Sequence, residues 1–142
     1  MEIYQLTYKS RAKNNITLDD LNAILHHSNL TNLQSNITGC LVFYNDFFIQ
    51  ILEGNKENVL EIYHKICTDD RHHSIDLMWQ NTSEKRFFDN WNMGFFTPED
   101  ESEILFVNNY KLLSSFADKS MGSLMRFWIS VEKILDSKRL SF

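Results

Sequence analysis

Tyr8, Gln50, Trp91 and Met93 stand far apart in the chain, yet each lies among large apolar side chains in a run that reads as a β-strand. A phenol, a primary amide and an indole or a thioether brought to one sheet face would line an apolar slot with a few polar groups. That is the usual form of a small-molecule site. Singly, each has an ordinary reading: Tyr8 as a partly buried strand tyrosine, Trp91 and Met93 as core. Gln50 is the informative member. It sits between Ile49 and Ile51 and shares a strand face with Phe48 and Leu52. An amide buried without partners costs roughly 1–3 kcal/mol. Gln50 therefore requires a polar partner, either a group inside the core or a bound ligand with a polar edge.

The elements that position these residues centre on Asn36 to Gly54, the most apolar run of the sequence. Cys40 to Tyr44 and Phe47 to Leu52 read as two strands joined by an Asn45-Asp46 turn, both residues tolerating positive φ. Neither strand alternates apolar with polar, so both sheet faces should be covered there. Ile3 to Tyr8 reads as a first strand with Tyr4, Leu6 and Tyr8 on one face, ended by the polar stretch Lys9 to Asn15. Thr17 with Asp20 forms a capping box for a helix buried along Leu18, Leu21, Ile24 and Leu25. Asn29 to Asn36 reads as loop. Asn55 caps a second helix buried along Val59, Ile62, Tyr63 and Ile66, followed by a charged turn from Thr68 to His73. Ile75 to Trp79 reads as an alternating strand with Ile75, Leu77 and Trp79 on one face. Asn81 to Arg86 follows as a polar connection, with Phe87-Phe88 a short apolar turn. Trp91 to Phe96 is the last strand, with Trp91, Met93 and Phe95 on one face.

The expected fold class is α+β: a ferredoxin-like βαββαββ arrangement, a mixed five-stranded sheet with two helices on one face. Two further helices follow Pro98. One is acid-rich at its start, from Glu99 to Glu103, and runs on through Leu112, Leu113 and Phe116. After a break over Ala117 to Gly122, the second starts near Ser123 and carries Leu124, Phe127, Trp128, Val131, Ile134 and Leu135 on one face. This pair either covers the open sheet face or presents an apolar surface to a partner or another subunit. Residues 1–97 are thus expected to form the ligand-binding domain, and residues 98–142 a C-terminal helical extension.

Composition narrows the function. Apolar residues make up 43% of 142, enough for one domain with a proper core. With 4 Gly and 1 Pro there is little support for disorder or a phosphate-cradling glycine loop. A net charge of −5 disfavours nucleic acid or an anionic membrane as the main partner. Cys40 and Cys67 form no Cys-x-x-Cys pair. No signal peptide or transmembrane run is evident, which leads to the expectation of a soluble cytoplasmic protein. His26-His27, His64 and His72-His73 lack metal-ligand spacing, so no metal is expected. No serine sits in a nucleophile elbow and no paired carboxylates sit inside the core, so the chain is expected not to be an enzyme. Asp69, Asp70 and Arg71, with Lys65 a turn or two earlier, read either as a charged turn or as a grip for a polar ligand chain and its phosphates.

Several of these pieces, in this order and spacing, resemble the blue-light-sensing flavin domain, BLUF. They are Tyr8-Lys9-Ser10, Asn32, Asn36-Ile37-Thr38-Gly39, Phe48 to Gly54, Asp69 to Ser74 and Trp91-Asn92-Met93. The resemblance covers residues 1–97, and the short chain with two C-terminal helices is similar to stand-alone members rather than those fused to cyclases or phosphodiesterases. It implies FAD bound non-covalently between the two sheet-covering helices. By the resemblance, Tyr8 is the electron and proton donor to the light-excited flavin, and Gln50 links the phenol to the flavin edge and rearranges its hydrogen bonds. Asn32 would bond the carbonyl and imide edge, while Ile24 and Phe48 pack the ring. Asp69, Arg71 and His72 would lie along the ribityl and phosphate side, with Lys65 a phosphate contact. Trp91 and Met93 would respond near Gln50 and pass the change through the last strand to the C-terminal helices.

Two departures stand out. Thr31-Asn32 replaces a frequent Asn-Asn pair, and Lys65 stands where Arg is frequent. Lys is a point charge without the guanidinium fork, so FMN stays open beside FAD. The expected partners are flavin, a homo-oligomer and a separate output protein, with neither nucleic acid nor membrane. The alternatives are a flavin-dependent oxidoreductase, which needs an open face for a second substrate, and a ligand-free protein-interaction module.

Overall fold

A computed structural model of the chain describes residues 2–110 and 121–139. The described elements are β1 (Ile3–Ala12), α1 (Leu18–Gln34), β2 (Thr38–Tyr44), β3 (Phe47–Gly54), α2 (Lys56–Cys67), β4 (His72–Ser83), β5 (Gly94–Phe96), α3 (Glu101–Tyr110) and α4 (Met121–Arg139). The strands make one sheet in the order β4-β1-β3-β2-β5. β1 pairs antiparallel with β3 and β4, and β2 pairs antiparallel with β3. β5 adds parallel to β2. This is the expected ferredoxin-like mixed sheet with one added strand. The doubly apolar hairpin lies inside the sheet because only there are both its faces covered. Asn45 (φ 53°) and Asp46 (φ 64°) make its turn in the left-handed region.

Two apolar clusters lie on opposite sheet faces. On one, Leu21, Ile24 and Leu25 of α1 and Val59, Ile62 and Ile66 of α2 meet Tyr4, Leu6, Tyr8, Leu41, Phe48 and Leu52. On the other, α4 buries Leu124, Phe127, Trp128, Val131 and Leu135 against Cys40, Val42, Ile49, Ile51 and Trp79. Of the two roles left open for the C-terminal helices, α4 thus fills the first and covers the sheet. Its deepest polar contact is Trp128 Nε1, which donates to Thr7 Oγ1 at 3.0 Å with both residues fully buried. Thr7 immediately precedes Tyr8.

Several boundaries differ from the sequence reading. β1 continues to Ala12 and α1 to Gln34, so neither the polar stretch after Tyr8 nor the Asn- and Thr-rich stretch after Ser28 interrupts its element. In both, tertiary pairing outweighs weak local propensity. Leu18 is 72% exposed rather than part of the buried stripe, because the first turn of α1 lies outside the packed part of the helix. β4 spans His72–Ser83, absorbing the expected turn on one side and the polar connection on the other. Its register against β1 shifts between Thr7 and Tyr8, where Thr7 pairs with Trp79 and Tyr8 with Leu77. Met78 is the extra residue of this bulge, so Met78 and Trp79 both join the α4-side cluster while Ile75 packs on the other face. The expected alternation of Ile75, Leu77 and Trp79 fails for this reason. The last strand begins at Gly94, leaving Trp91 and Met93 in irregular chain. α4 begins at Met121, so Gly122 lies within it, whereas Leu112, Leu113, Phe116 and the break at 117–120 lie outside the described residues.

Among the described residues, no helix is long and apolar enough to cross a membrane. Trp128→Phe removes one buried donor and part of a filled core position. It is expected to lower unfolding free energy by about 1–3 kcal/mol, read as a lower urea midpoint with an unchanged slope.

Candidate functional site

In the β1–β3 ladder Tyr8 stands directly opposite Gln50. Directly opposed residues project to the same face, so the phenol and the amide are neighbours by backbone geometry alone. Tyr8 Oη donates to Gln50 Oε1. That fixes the amide's orientation and aims its NH2 end at Met93, whose sulfur accepts from Gln50 Nε2 at 3.4 Å. Tyr8, Gln50 and Met93 are 3%, 3% and 5% exposed, so the whole relay is dry. Burial pushes the Tyr8 phenol well above its ordinary value, and Cys67, Tyr63 and Asp69 add to the effect. Tyr8 is therefore held as a neutral O–H donor.

Beside this relay, α1 and α2 stand over a cleft with about 760 Å³ of empty space, part of it continuous with solvent. Ile24, Leu41, Phe48, Ile62 and Ile66 give it apolar walls. Gln50 and Asn32 bring amides to the buried end, while Lys65, Asp69, Arg71 and His72 bring charge and polarity to the rest. Asn32 is 1% exposed, and its Nδ2 donates to Asn92 O at 2.7 Å, leaving its carbonyl oxygen as the end that can serve the cleft. Because a thioether is a weak acceptor, Gln50 Nε2 likewise keeps donor capacity toward the cleft. Arg71 is held by Asp69, with Nε on Oδ1 at 2.9 Å and the backbone N–H on the same oxygen at 2.9 Å. These bonds hold the Asp69 carboxyl below the usual carboxylate range. His72 bridges Ser10 Oγ and Ile66 O, each at 2.6 Å, and its ring lies 6.1 Å from that of Tyr8. A flat group with an apolar body, a polar edge and an anionic tail matches this donor set, which is the character of a flavin nucleotide.

All eight residues expected around the cofactor line this one cleft: Ile24, Asn32, Phe48, Gln50, Lys65, Asp69, Arg71 and His72. Trp91 and Met93 part company. Met93 faces Gln50, whereas Trp91 packs with the α4-side cluster under the Arg139 guanidinium, 4.6 Å from the ring centroid. They are not on one face because the chain between them is not a strand: Trp91 N–H turns back to Phe88 O and Trp91 O accepts from Gly39. The sequence reading missed His27, Ser28 and Thr31, which also line the cleft. With Ile24 and Asn32 they fall at helical spacing on one face of α1, a signal lost by ending the helix near Ser28.

A ferredoxin-like sheet carrying an amphipathic cleft under two helices is a small-molecule-binding domain. Residues 3–94 match the family model for BLUF, sensors of blue-light using FAD, and the chain belongs to that family. That family is one of flavin-binding blue-light sensors. The chain is 35% identical over 83 residues to the blue light- and temperature-regulated antirepressor BluF of Escherichia coli, a match covering 58% of this chain and 21% of that protein. The chain thus spans about a fifth of that relative's length. The dark-state structure of BlrB, a BLUF protein, superposes with a TM-score of 0.78 at 25% identity, covering 92% of this chain and 97% of that one. The photo-activated state of BlsA gives 0.80 at 26%, covering 93% and 95%.

The raised Tyr8 pKa has a definite sign for stability. The folded chain keeps the phenol protonated where an unfolded chain, near the ordinary 10.0, begins to lose its proton. Stability from this group is fully present below about pH 10 and is lost as pH rises beyond it. Urea midpoints measured from pH 9 to 11 are expected to fall, and to fall less steeply in Tyr8→Phe.

Proposed function

We propose that the chain holds FAD non-covalently in the cleft between α1 and α2 and acts as a blue-light switch, with no catalytic turnover of its own. The observation that carries this reading is the dry Tyr8–Gln50–Met93 relay at the buried end of the cleft. When bound, the flavin supplies blue-light absorption and an oxidising excited state. Ile24 and Phe48 flank its ring. Asn32 and Gln50 offer hydrogen bonds to its polar edge. Arg71, already oriented by Asp69, serves the ribityl and phosphate side with His72. Lys65 stands at the cleft mouth, its side chain 69% exposed and 3.5 Å from Glu61, so its contribution is a screened point charge.

Tyr8 would be the electron donor to that excited flavin and the donor of the proton on Oη, for which Gln50 Oε1 is the adjacent hydrogen-bond acceptor. Gln50 is the switch, because its two ends are an acceptor and a donor. Turning the amide end for end, or tautomerising it, inverts what it offers to Tyr8, to the cleft and to Met93. Met93 leads directly into β5 at Gly94, where α4 packs closely: a Cβ on Gly94 would stand 3.0 Å from the Leu135 side chain. A changed Gln50–Met93 contact would therefore bias β5 and α4. In this reading residues 1–97 bind the flavin, and residues 98–142 carry the output to an oligomer or a separate partner.

The test is the visible spectrum of the purified protein before and after blue light, with the extracted flavin identified by mass as FAD or FMN. A flavin spectrum that moves to the red and recovers in the dark is expected. Bound flavin that does not respond would favour an oxidoreductase, and absence of flavin an interaction module. Tyr8→Phe is expected to keep flavin but lose the light-induced shift, and a normal shift in that variant would overturn the donor role. Light scattering on a sizing column is expected to give a dimer or larger assembly, and a monomer in both dark and light would overturn the oligomeric output.

A further inference from the structure

Glu53 is fully buried at the end of β3, on the sheet face opposite Gln50, and no step of the light switch above uses it. Its two oxygens each accept two hydrogen bonds. Oε2 takes Gln5 Nε2 at 2.8 Å and Phe87 N–H at 2.6 Å. Oε1 takes Thr38 Oγ1 at 3.0 Å and Phe88 N–H at 2.9 Å. Four donors fill the acceptor sites of one carboxylate. Two of them are successive backbone amides in the middle of the irregular segment, residues 84–93, that ends at Met93.

Beyond Phe88 this segment has no ladder of its own and is held by single bonds. Trp91 N–H donates to Phe88 O and Gly39 N–H to Trp91 O, each at 3.0 Å. Asn92 Nδ2 donates to Ile37 O at 3.2 Å, and Asn32 Nδ2 to Asn92 O at 2.7 Å. The next residue is Met93, against Gln50. The first bond of the series starts from Phe88, which Glu53 anchors.

We propose that Glu53 is a positioning residue for the photoswitch: its carboxylate pins Phe87 and Phe88 and so sets where the Met93 sulfur meets Gln50. The functional half of this proposal rests on the photoswitch reading; the positional half does not. Chemistry makes Glu53→Gln a sharp probe. An amide can accept at only one end. Thr38 and Gln5 can each turn to present an oxygen to the NH2 end, but a backbone N–H can only donate. In either amide orientation, Phe87 or Phe88 loses its acceptor.

The experiment compares wild type, E53Q, M93A and the double variant of the full chain. In ligand-free protein, amide exchange and the methionine-methyl NMR signals are read, with Met93 assigned by its absence in M93A. In E53Q, exchange of Phe87 or Phe88 is expected to accelerate about tenfold or more, and the Met93 signal to move or broaden. In flavin-loaded protein, E53Q is expected to change the dark-recovery rate about threefold or more, and this change should largely vanish in the M93A background. Unmoved amides and an unmoved Met93 signal would overturn the proposal. So would a kinetic effect that persists undiminished without Met93, which would mark Glu53 as merely structural. If the wild type shows no light-induced shift, the photoswitch reading fails by itself, while the ligand-free signals still decide the positioning. If E53Q does not fold, Thr38→Val removes one of the four donors. A smaller Met93 displacement is then expected, and none would overturn the proposal.

Discussion

The hydrogen bond between Tyr8 and Gln50 depends on the register of two neighbouring strands. In a β-ladder a slip of one residue turns every side chain to the other face. Here such a slip would separate the phenol from the amide and put Gln5 or Thr7 into the apolar cluster under α1 and α2. Eight successive pairs between β1 and β3, both covered on two faces, make the register costly to lose. The hairpin turn at Asn45-Asp46 adds a second constraint by fixing β2 against β3. Precision at the relay is thus a property of the whole sheet, and it needs no contact beyond those that fold the protein.

The two sheet faces do different work. Against α4 the packing is dense: Phe88, Phe127 and Trp128 interlock edge to face, with centroids 5.0 and 5.7 Å apart, and are fully buried. Against α1 the packing is looser. Asn32 is the one buried residue of that helix among those described, and its sheet-facing side chains line the cleft instead of closing it. Keeping a polar site open on one face is compatible with folding because the other supplies a complete core. Thr7 and Tyr8 join the two: adjacent residues of one strand, one bound to Trp128 beneath the sheet and the other to Gln50 above it.

Buried polar groups here fall into two kinds. Glu53 is saturated, with each lone-pair direction occupied, and it organises backbone. Gln50 is only partly satisfied, with a phenol at one end and a weakly accepting sulfur at the other. A saturated group rigidifies its surroundings, whereas an incompletely bonded amide has alternatives of similar energy. The second property is what a switch requires.

Much of this was legible in the residues themselves. The doubly apolar hairpin, the Asn45-Asp46 turn, the caps at Thr17 and Asn55 and the anomaly of Gln50 between two isoleucines are local signals, and local backbone chemistry decides them. The family motifs likewise contain six of the cleft residues, Asn32, Phe48, Gln50, Asp69, Arg71 and His72. Other features were decided only by tertiary structure. Trp91 and Met93 part company in an irregular segment that hydrogen-bonds to Glu53, Gly39 and Ile37, residues distant in sequence. The bulge at Met78 sends Trp79 toward α4, and periodicity cannot show an extra residue in one strand of a pair. The last turn and a half of α1 forms from Asn- and Thr-rich chain because Asn32 has partners at Asn92 and Ile37 across the fold. Sequence alone set the candidate polar side chains among apolar neighbours on separate strands; long-range hydrogen bonds and packing determined which of them touch.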